Sequence, residues 1–299
     1  MATKKINIVE VGPRDGFQNI DTWIPTEVKK RVIDGLIEAG VKELEVTSFV
    51  HPKAVPQMSD AKEIVEYVQG KYPNVDAYAL VPNLHGARLA WENGVTHVAF
   101  AMSVSETFNL KNLNRTHEQS FEELARIKET YPGLTMTVGI STVFGCPFEG
   151  IPEVDTVVEF VKKIHFDYGV HSINVADTIG IADPRQVRET VRRLLEAMPD
   201  CELQVHIHDT RNMGIVNTLA AIECGVQKVQ STLGGLGGCP FAPGASGNTA
   251  TEDLAYMLER MGYETNLDVN KLTELSRWQK EKVPEGNYSG HLVNIKTQK

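Results

Sequence analysis

INIVEVGPRDG, residues 6–16, decides between the two α/β architectures open to this chain. Residues 6–11 are dominated by β-branched apolar side chains and read as a buried strand. The turn that follows is Gly12-Pro13-Arg14-Asp15-Gly16, not Gly-x-Gly-x-x-Gly. A doubly wound open sheet carries that glycine fingerprint after its first strand, where backbone must approach a pyrophosphate. Here the same place holds a cation and a carboxylate on a rigid, sharply turning loop.

Outward from this turn the pattern repeats. Further short β-rich runs fall at 43–47, 75–81, 95–101, 134–140, 171–175, 202–207 and 228–232. Amphipathic helical stretches lie between them at 25–39, 59–69, 84–93, 118–130, 153–167, 184–198, 212–224 and 251–262. Pro25 and Pro184 suit a first helical turn, and Gly40, Gly94, Gly169 and Gly225 suit helix ends. Eight β-then-α units with a repeat of about 30 residues predict a (β/α)8 TIM barrel. The expected organisation is one catalytic domain over 1–299. The barrel spans about 5–265, and a C-terminal helical extension about 266–299, with a helix near 268–282.

Composition narrows the function. The 299 residues include 30 Lys plus Arg and 39 Asp plus Glu, a formal net charge of −9. An acidic chain argues against nucleic acid and anionic membranes as partners. Cys146, Cys201, Cys224 and Cys239 form no Cys-x-x-Cys, which weakens zinc-ribbon and thioredoxin-like readings. No secretory leader is expected, because residues 1–6 run straight into a strand pattern, and no apolar run reaches the roughly 18 residues of a membrane span. The expectation is a reduced, cytoplasmic protein.

Polar residues cluster just past nearly every strand. They include Arg14, Asp15 and Gln18, then Glu45 with Thr47-Ser48, Asn83, Ser103, Ser141-Thr142, Asp177-Thr178 and His206-Ile-His-Asp209. In a barrel these ends share one rim, where barrel active sites form. His206 and His208, at i and i+2 on a strand, point to the same face and suit one metal ion. Oxygen donors such as Asp15 and Asn248 favour Mg2+ or Mn2+ over zinc, which stays open. Residues 234–248, GGLGGCPFAPGASGN, read as a mobile loop presenting Cys239. His51, His85, His97, His117, His165 and His171 stand singly and read as ordinary histidines. Cys201 and Cys224 read as structural, while Cys146 is ambiguous.

VEVGPRDGFQN (9–19), VTSFVHPKAVPQMSD (46–60), GCPFEG (145–150), HIHDT (206–210) and GGLGGCPFAPGASGNTATEDL (234–254) resemble the 3-hydroxy-3-methylglutaryl-CoA lyase family. The resemblance implies a metal-dependent carbon–carbon lyase acting on an acyl-CoA, with roles in leucine degradation and ketone body formation and a homodimeric assembly. It implies Asp15, His206, His208 and Asn248 as ligands of a divalent cation and Arg14 as the substrate-contacting cation. Cys239 is implied as the catalytic cysteine, and Glu45 and Asp177 as carboxylates supporting the site. Gln18 lies beside the Arg-Asp pair, and Lys111 and Asn112 lie in a segment resembling one near CoA. Two positions depart from the family. Arg211 follows the metal motif where the family reads a tyrosine-containing segment, and Gly139 takes the place of a tyrosine. Both bear on the acyl group, so a related 3-hydroxyacyl-CoA, of 3-alkylglutaryl or citramalyl type, is the alternative substrate. An Arg211 guanidinium pairing with a substrate carboxylate is one expectation.

The chemistry asks for a base at the C3 hydroxyl, stabilisation of an enolate, and an acid that reprotonates it. His206 or Asp15 suits the base, and Cys239 the acid. A carbon–carbon-forming synthase on the same barrel is the rival, but about 35 residues after the barrel are too few for its usual regulatory domain. A carboxyl-transfer domain and a non-catalytic metal scaffold fit less well.

Overall fold

Eight parallel strands follow one another in sequence order around a closed barrel. They are β1 (Asn7–Glu10), β2 (Glu43–Ser48), β3 (Asp76–Leu80), β4 (His97–Ser103), β5 (Thr135–Ser141), β6 (Ser172–Asp177), β7 (Glu202–Ile207) and β8 (Lys228–Ser231). The structure, a computed structural model, describes residues 4–238 and 247–295. By contact the chain divides into two compact units, Met1–Ala77 with Lys228–Lys299 and Tyr78–Gln227.

In the first unit β1 pairs with β2 through Glu10 and Leu44, and with β8 from Asn7–Lys228 to Glu10–Ser231. Its helices are α1 (Thr26–Glu38), α2 (Ala61–Lys71), and, late in the chain, α9 (Thr251–Arg260) and α10 (Val269–Lys282). The helix α10 matches the helical stretch expected near 268–282. It packs on α1 at Gly35, where an added Cβ would lie 2.6 Å from Leu275. Glycine there permits the approach, and Leu272 and Leu275 are buried.

The second unit holds β4 to β7 in continuous register, from His97–Thr135 to Ser103–Ser141 and from Ser172–Glu202 to Asp177–Ile207. Its helices are α3 (Leu84–Glu92), α4 (Glu106–Leu113), α5 (His117–Thr130), α6 (Val154–Tyr168), α7 (Pro184–Ala197) and α8 (Gly214–Cys224). The helix α7 buries Val187, Thr190, Val191 and Leu194, an i, i+3, i+4, i+7 stripe. Asp183 caps its first turn by accepting from the Arg185 and Gln186 amides. Gly169 ends α6 in the left-handed region with φ 60°, its amide bonded to the Ile164 carbonyl.

Two expectations differ from the structure. Pro25 sits at the N-cap of α1 rather than inside its first turn. The helix α4 has no counterpart among the expected elements, because its residues carry little apolar periodicity and only Phe108 and Asn109 are buried. Among the described residues, no helix is long and apolar enough to cross a membrane.

Candidate active site

The strand β1 ends in the buried Glu10, and the chain then makes one wide helical turn over Gly12–Gly16. Glu10 staples that turn. Its Oε1 accepts from the Gly12 amide at 2.8 Å and the Leu233 amide at 2.9 Å, and its Oε2 accepts from the Thr251 hydroxyl at 2.6 Å. Burial nonetheless pushes its carboxyl up to about 7. A Cβ at Gly12 would stand 2.5 Å from Glu10 Oε1, so this position needs glycine.

The turn brings Arg14 and Asp15, adjacent in sequence, onto one another. Arg14 Nη1 donates to Asp15 Oδ1 at 2.8 Å, while its Nε and Nη2 reach Glu45 Oε2 at 2.8 and 2.6 Å. Glu45 lies on β2 and its side chain is 2% exposed. A buried carboxylate on one flank fixes the plane of the guanidinium. Gln18 donates to Asp15 Oδ1 at 2.9 Å, and Asn248 Nδ2 donates to Asp15 Oδ2 at 2.7 Å. Asn248 Nδ2 also donates to the Leu236 carbonyl at 3.2 Å. The Asn248 Oδ1 is buried and has no hydrogen-bond partner among the described residues. A desolvated carbonyl oxygen left without a donor costs about 1–3 kcal/mol, which a cation there would offset.

Asn248 is held by the base of the glycine loop. The Gly234 amide donates to Glu252 Oε2 at 2.9 Å, and Glu252 also accepts from Ser276 at 2.8 Å. The C-terminal segment braces this base from the other side. The Gly290 amide donates to the Gly234 carbonyl at 2.9 Å, and Ser289 Oγ donates to the carbonyls of Asn248 and Gly235 at 2.9 and 3.3 Å. A Cβ at Gly237, with φ 149°, would lie 2.5 Å from Asn248 Nδ2. Cys239 lies outside the described residues. Glu10 and Glu252 were not singled out from sequence. The available signal was a carboxylate inside an apolar strand and another at a helix start.

In the second unit, His206 and His208 point to one side as their spacing requires. Their Nε2 atoms are 3.0 Å apart, and both residues are buried. Asp209 accepts from the Gly214 amide at 2.6 Å, starting α8. Asp177 accepts from the amides of Ile181 and Ala182 at 3.1 and 3.0 Å, and burial raises its carboxyl to about 6. Arg211 Nη1 donates to the carbonyls of Ile179 and Gly180 at 2.9 and 3.1 Å, so much of its guanidinium is spent on the neighbouring loop. Lys111 and Asn112 are exposed on α4, and Lys111 Nζ sits 5.0 Å from the ring centroid of Phe148. Cys146, ambiguous in sequence, is buried with its thiol donating to Ser105 at 3.1 Å.

A family model described as HMGL-like matches residues 5–278. The hydroxymethylglutaryl-CoA lyase YngG of Bacillus subtilis is 40% identical over 296 residues, 98% of each chain. The crystal structure of the Bacillus subtilis HMG-CoA lyase superposes with a TM-score of 0.91 at 39% identity, covering 97% of this chain and 98% of that one. An HMG-CoA lyase from Acinetobacter baumannii, solved with coenzyme A and 3-methylmalate, gives 0.90 at 38% identity, covering 97% and 95%. The chain belongs to the HMGL-like family.

Proposed function

We propose that the protein cleaves 3-hydroxy-3-methylglutaryl-CoA to acetyl-CoA and acetoacetate. The observation that carries this reading is the Arg14–Asp15–Glu45–Asn248 cluster. It combines an oriented guanidinium, a carboxylate and an unsatisfied amide oxygen at one strand end. Relatives at about 40% identity over nearly the whole chain are HMG-CoA lyases.

Asp15, His206, His208 and Asn248 are the proposed ligands of one divalent cation, Mg2+ or Mn2+. His206 and His208 present their Nε2 atoms to one another at the end of β7. The mixed oxygen and imidazole donor set and the orphaned Asn248 Oδ1 fit such an ion. When bound, the cation supplies Lewis acidity and a template for the substrate's oxygen atoms. Arg14, fixed by Glu45 and Asp15, places positive charge where the thioester oxygen becomes an enolate. Asp15 already accepts from Arg14, Gln18 and Asn248. Its two oxygens can divide between the cation and the C3 hydroxyl proton. An imidazole nitrogen that ligates the cation has no lone pair left for a proton, so Asp15 is the proposed base and His206 the alternative only when it is off the metal. Cys239 is the proposed acid that returns a proton to the enolate carbon. Glu45 positions Arg14, and Asp177 shapes the loop after β6.

Lys111 and Asn112 are proposed to meet the CoA moiety, beside Leu110 and Phe148, whose apolar side chains are exposed. A cytoplasmic setting and a homodimer complete the proposal. One observation favours a broader acyl group. Among the described residues, a Cβ at Gly139 would find only the Phe100 carbonyl oxygen within 4 Å, at 3.9 Å. A coupled assay of acetyl-CoA and acetoacetate release tests the main reading, with 3-alkylglutaryl-CoA and citramalyl-CoA substrates alongside. Metal-dependent release from HMG-CoA supports it. A panel member preferred tenfold in kcat/KM, about 1.4 kcal/mol, replaces it with the broader one.

A further inference from the structure

The second unit carries another group of metal-competent side chains, at the opposite ends of its strands. His165 lies in the last turn of α6, His171 just before β6, and Asp200 just before β7. His208 and Asp200 bracket β7, and at about 3.3 Å per residue the strand separates them by more than roughly 20 Å. This group is therefore distinct from the rim.

Its hydrogen bonding poses a specific problem. His165 Nδ1 faces the Val170 carbonyl oxygen at 2.8 Å, and that acceptor fixes a proton on Nδ1. His165 Nε2 faces Asp200 Oδ1 at 3.1 Å, also an acceptor. A neutral ring thus aims its lone pair at a carboxylate. An imidazolium is one resolution, and a dication held by both atoms is the other. The surroundings favour the dication. His171 packs edge-on against His165 with ring centroids 5.2 Å apart. His165, His171 and Asp200 can each present one ligand atom, all within 4.8 Å of one another. Ligand atoms on a tetrahedral zinc at about 2.0–2.2 Å stand about 3.3–3.5 Å apart, close to the Nε2–Oδ1 separation. A proton fixed on Nδ1 by a backbone carbonyl is the arrangement that presents Nε2 to a metal. The His165 side chain is 1% exposed and Asp200 is 65% exposed, so the ion has a rigid anchor and an open approach.

We propose that His165, His171 and Asp200 form a second cation site for a borderline transition-metal dication of the zinc type, clipping the end of α6 to the turn between α7 and β7. Two imidazoles with one carboxylate suit such an ion better than Mg2+.

Cobalt(II) is the probe. Protein saturated with Mg2+ is titrated with Co2+ and followed by visible absorption, by metal content after gel filtration, and by melting temperature. The expected result is one tightly held Co2+ with the intense absorption of four-coordinate cobalt, displaced by Zn2+, and a melting midpoint raised by a few degrees. His171→Ala and Asp200→Asn each lose that absorption while keeping lyase turnover within about twofold. In His208→Ala the same absorption persists, which separates this site from the proposed rim site. Absence of the absorption in the wild type overturns the proposal and leaves His165 a helix-end hydrogen-bonding residue. Wild-type absorption in His171→Ala also overturns it.

Discussion

The two polar clusters at the strand ends are assembled by opposite means. Arg14, Asp15, Glu45 and Asn248 come from a turn, a strand and a segment 233 residues away, tied by side-chain hydrogen bonds of 2.6–2.8 Å. His206 and His208 meet because they are two residues apart at the end of one strand. The first arrangement depends on remote groups such as Glu10, Glu252 and Ser289. The second follows from backbone alternation. Substitutions far from the chemistry should therefore disturb the first cluster, whereas the histidine pair should respond chiefly to changes in its own members.

The largest effect is expected at the histidine pair itself. His208→Ala should lose the divalent cation from the rim and lower kcat/KM by at least about 10³-fold, several kcal/mol of barrier, with an unchanged circular dichroism spectrum. Metal analysis and kinetics check this. Retained metal with normal turnover would remove the histidines from the site. Next comes the hydrogen-bonded cluster. Arg14→Gln should lower kcat by about 10²–10³-fold, the usual cost of removing a preorganised charge donor. Glu45→Gln should lower it less, because it leaves Arg14 charged but less firmly aimed. Equal losses in the two variants would mean that Glu45 does more than hold Arg14.

The contrast also explains what was legible in the sequence. The barrel was, because each βα unit repeats the same alternation and amphipathic stripe, and every expected strand lies within a few residues of an observed one. The histidine pair was legible for the same reason. The helix α4 was not, since an exposed helix with a single buried aromatic has no stripe to read, although Ser105 caps it by accepting from the Phe108 amide. His165 and His171 stood apart in sequence, and only the fold sets them beside Asp200. Nothing local announces that Arg211 would turn its guanidinium onto the carbonyls of Ile179 and Gly180. Nor does spacing reveal that Asn248 donates to Asp15.

A smaller, pH-dependent effect tests the remote support. Burial raises the Glu252 carboxyl to about 7, as it does that of Glu10. Between the ordinary carboxylate range and pH 7 the folded protein keeps a proton that the unfolded chain has released. Folding then takes up protons, and stability falls as pH rises through that window. Each group contributes at most about 3–4 kcal/mol to this fall, at 1.36 kcal/mol per unit. Glu252→Gln should flatten the decline in melting temperature between pH 5 and pH 8, while the introduced side-chain carbonyl still accepts from the Gly234 amide. An unchanged slope would assign the whole decline to other groups.

The smallest expected effect is the sharpest test of remoteness. Ser289 is near the C-terminus, yet its hydroxyl donates to the carbonyls of Asn248 and Gly235. Ser289→Ala removes the single hydroxyl proton that these two carbonyls share, a hydrogen bond worth about 0.5–1.5 kcal/mol, and leaves the antiparallel bridge between Leu236 and Tyr288 in place. The fold should persist, with a melting midpoint lower by roughly 2–4 °C. Asn248, held less firmly against Asp15, should bind the rim cation a few-fold more weakly, while kcat at saturating metal stays near wild type. That split between metal affinity and turnover is what a positioning role produces. A lower melting temperature with unaltered metal affinity would show that the Leu236–Tyr288 bridge alone sets the loop base, and that the Arg14–Asp15–Asn248 cluster tolerates remote change as well as the histidine pair does.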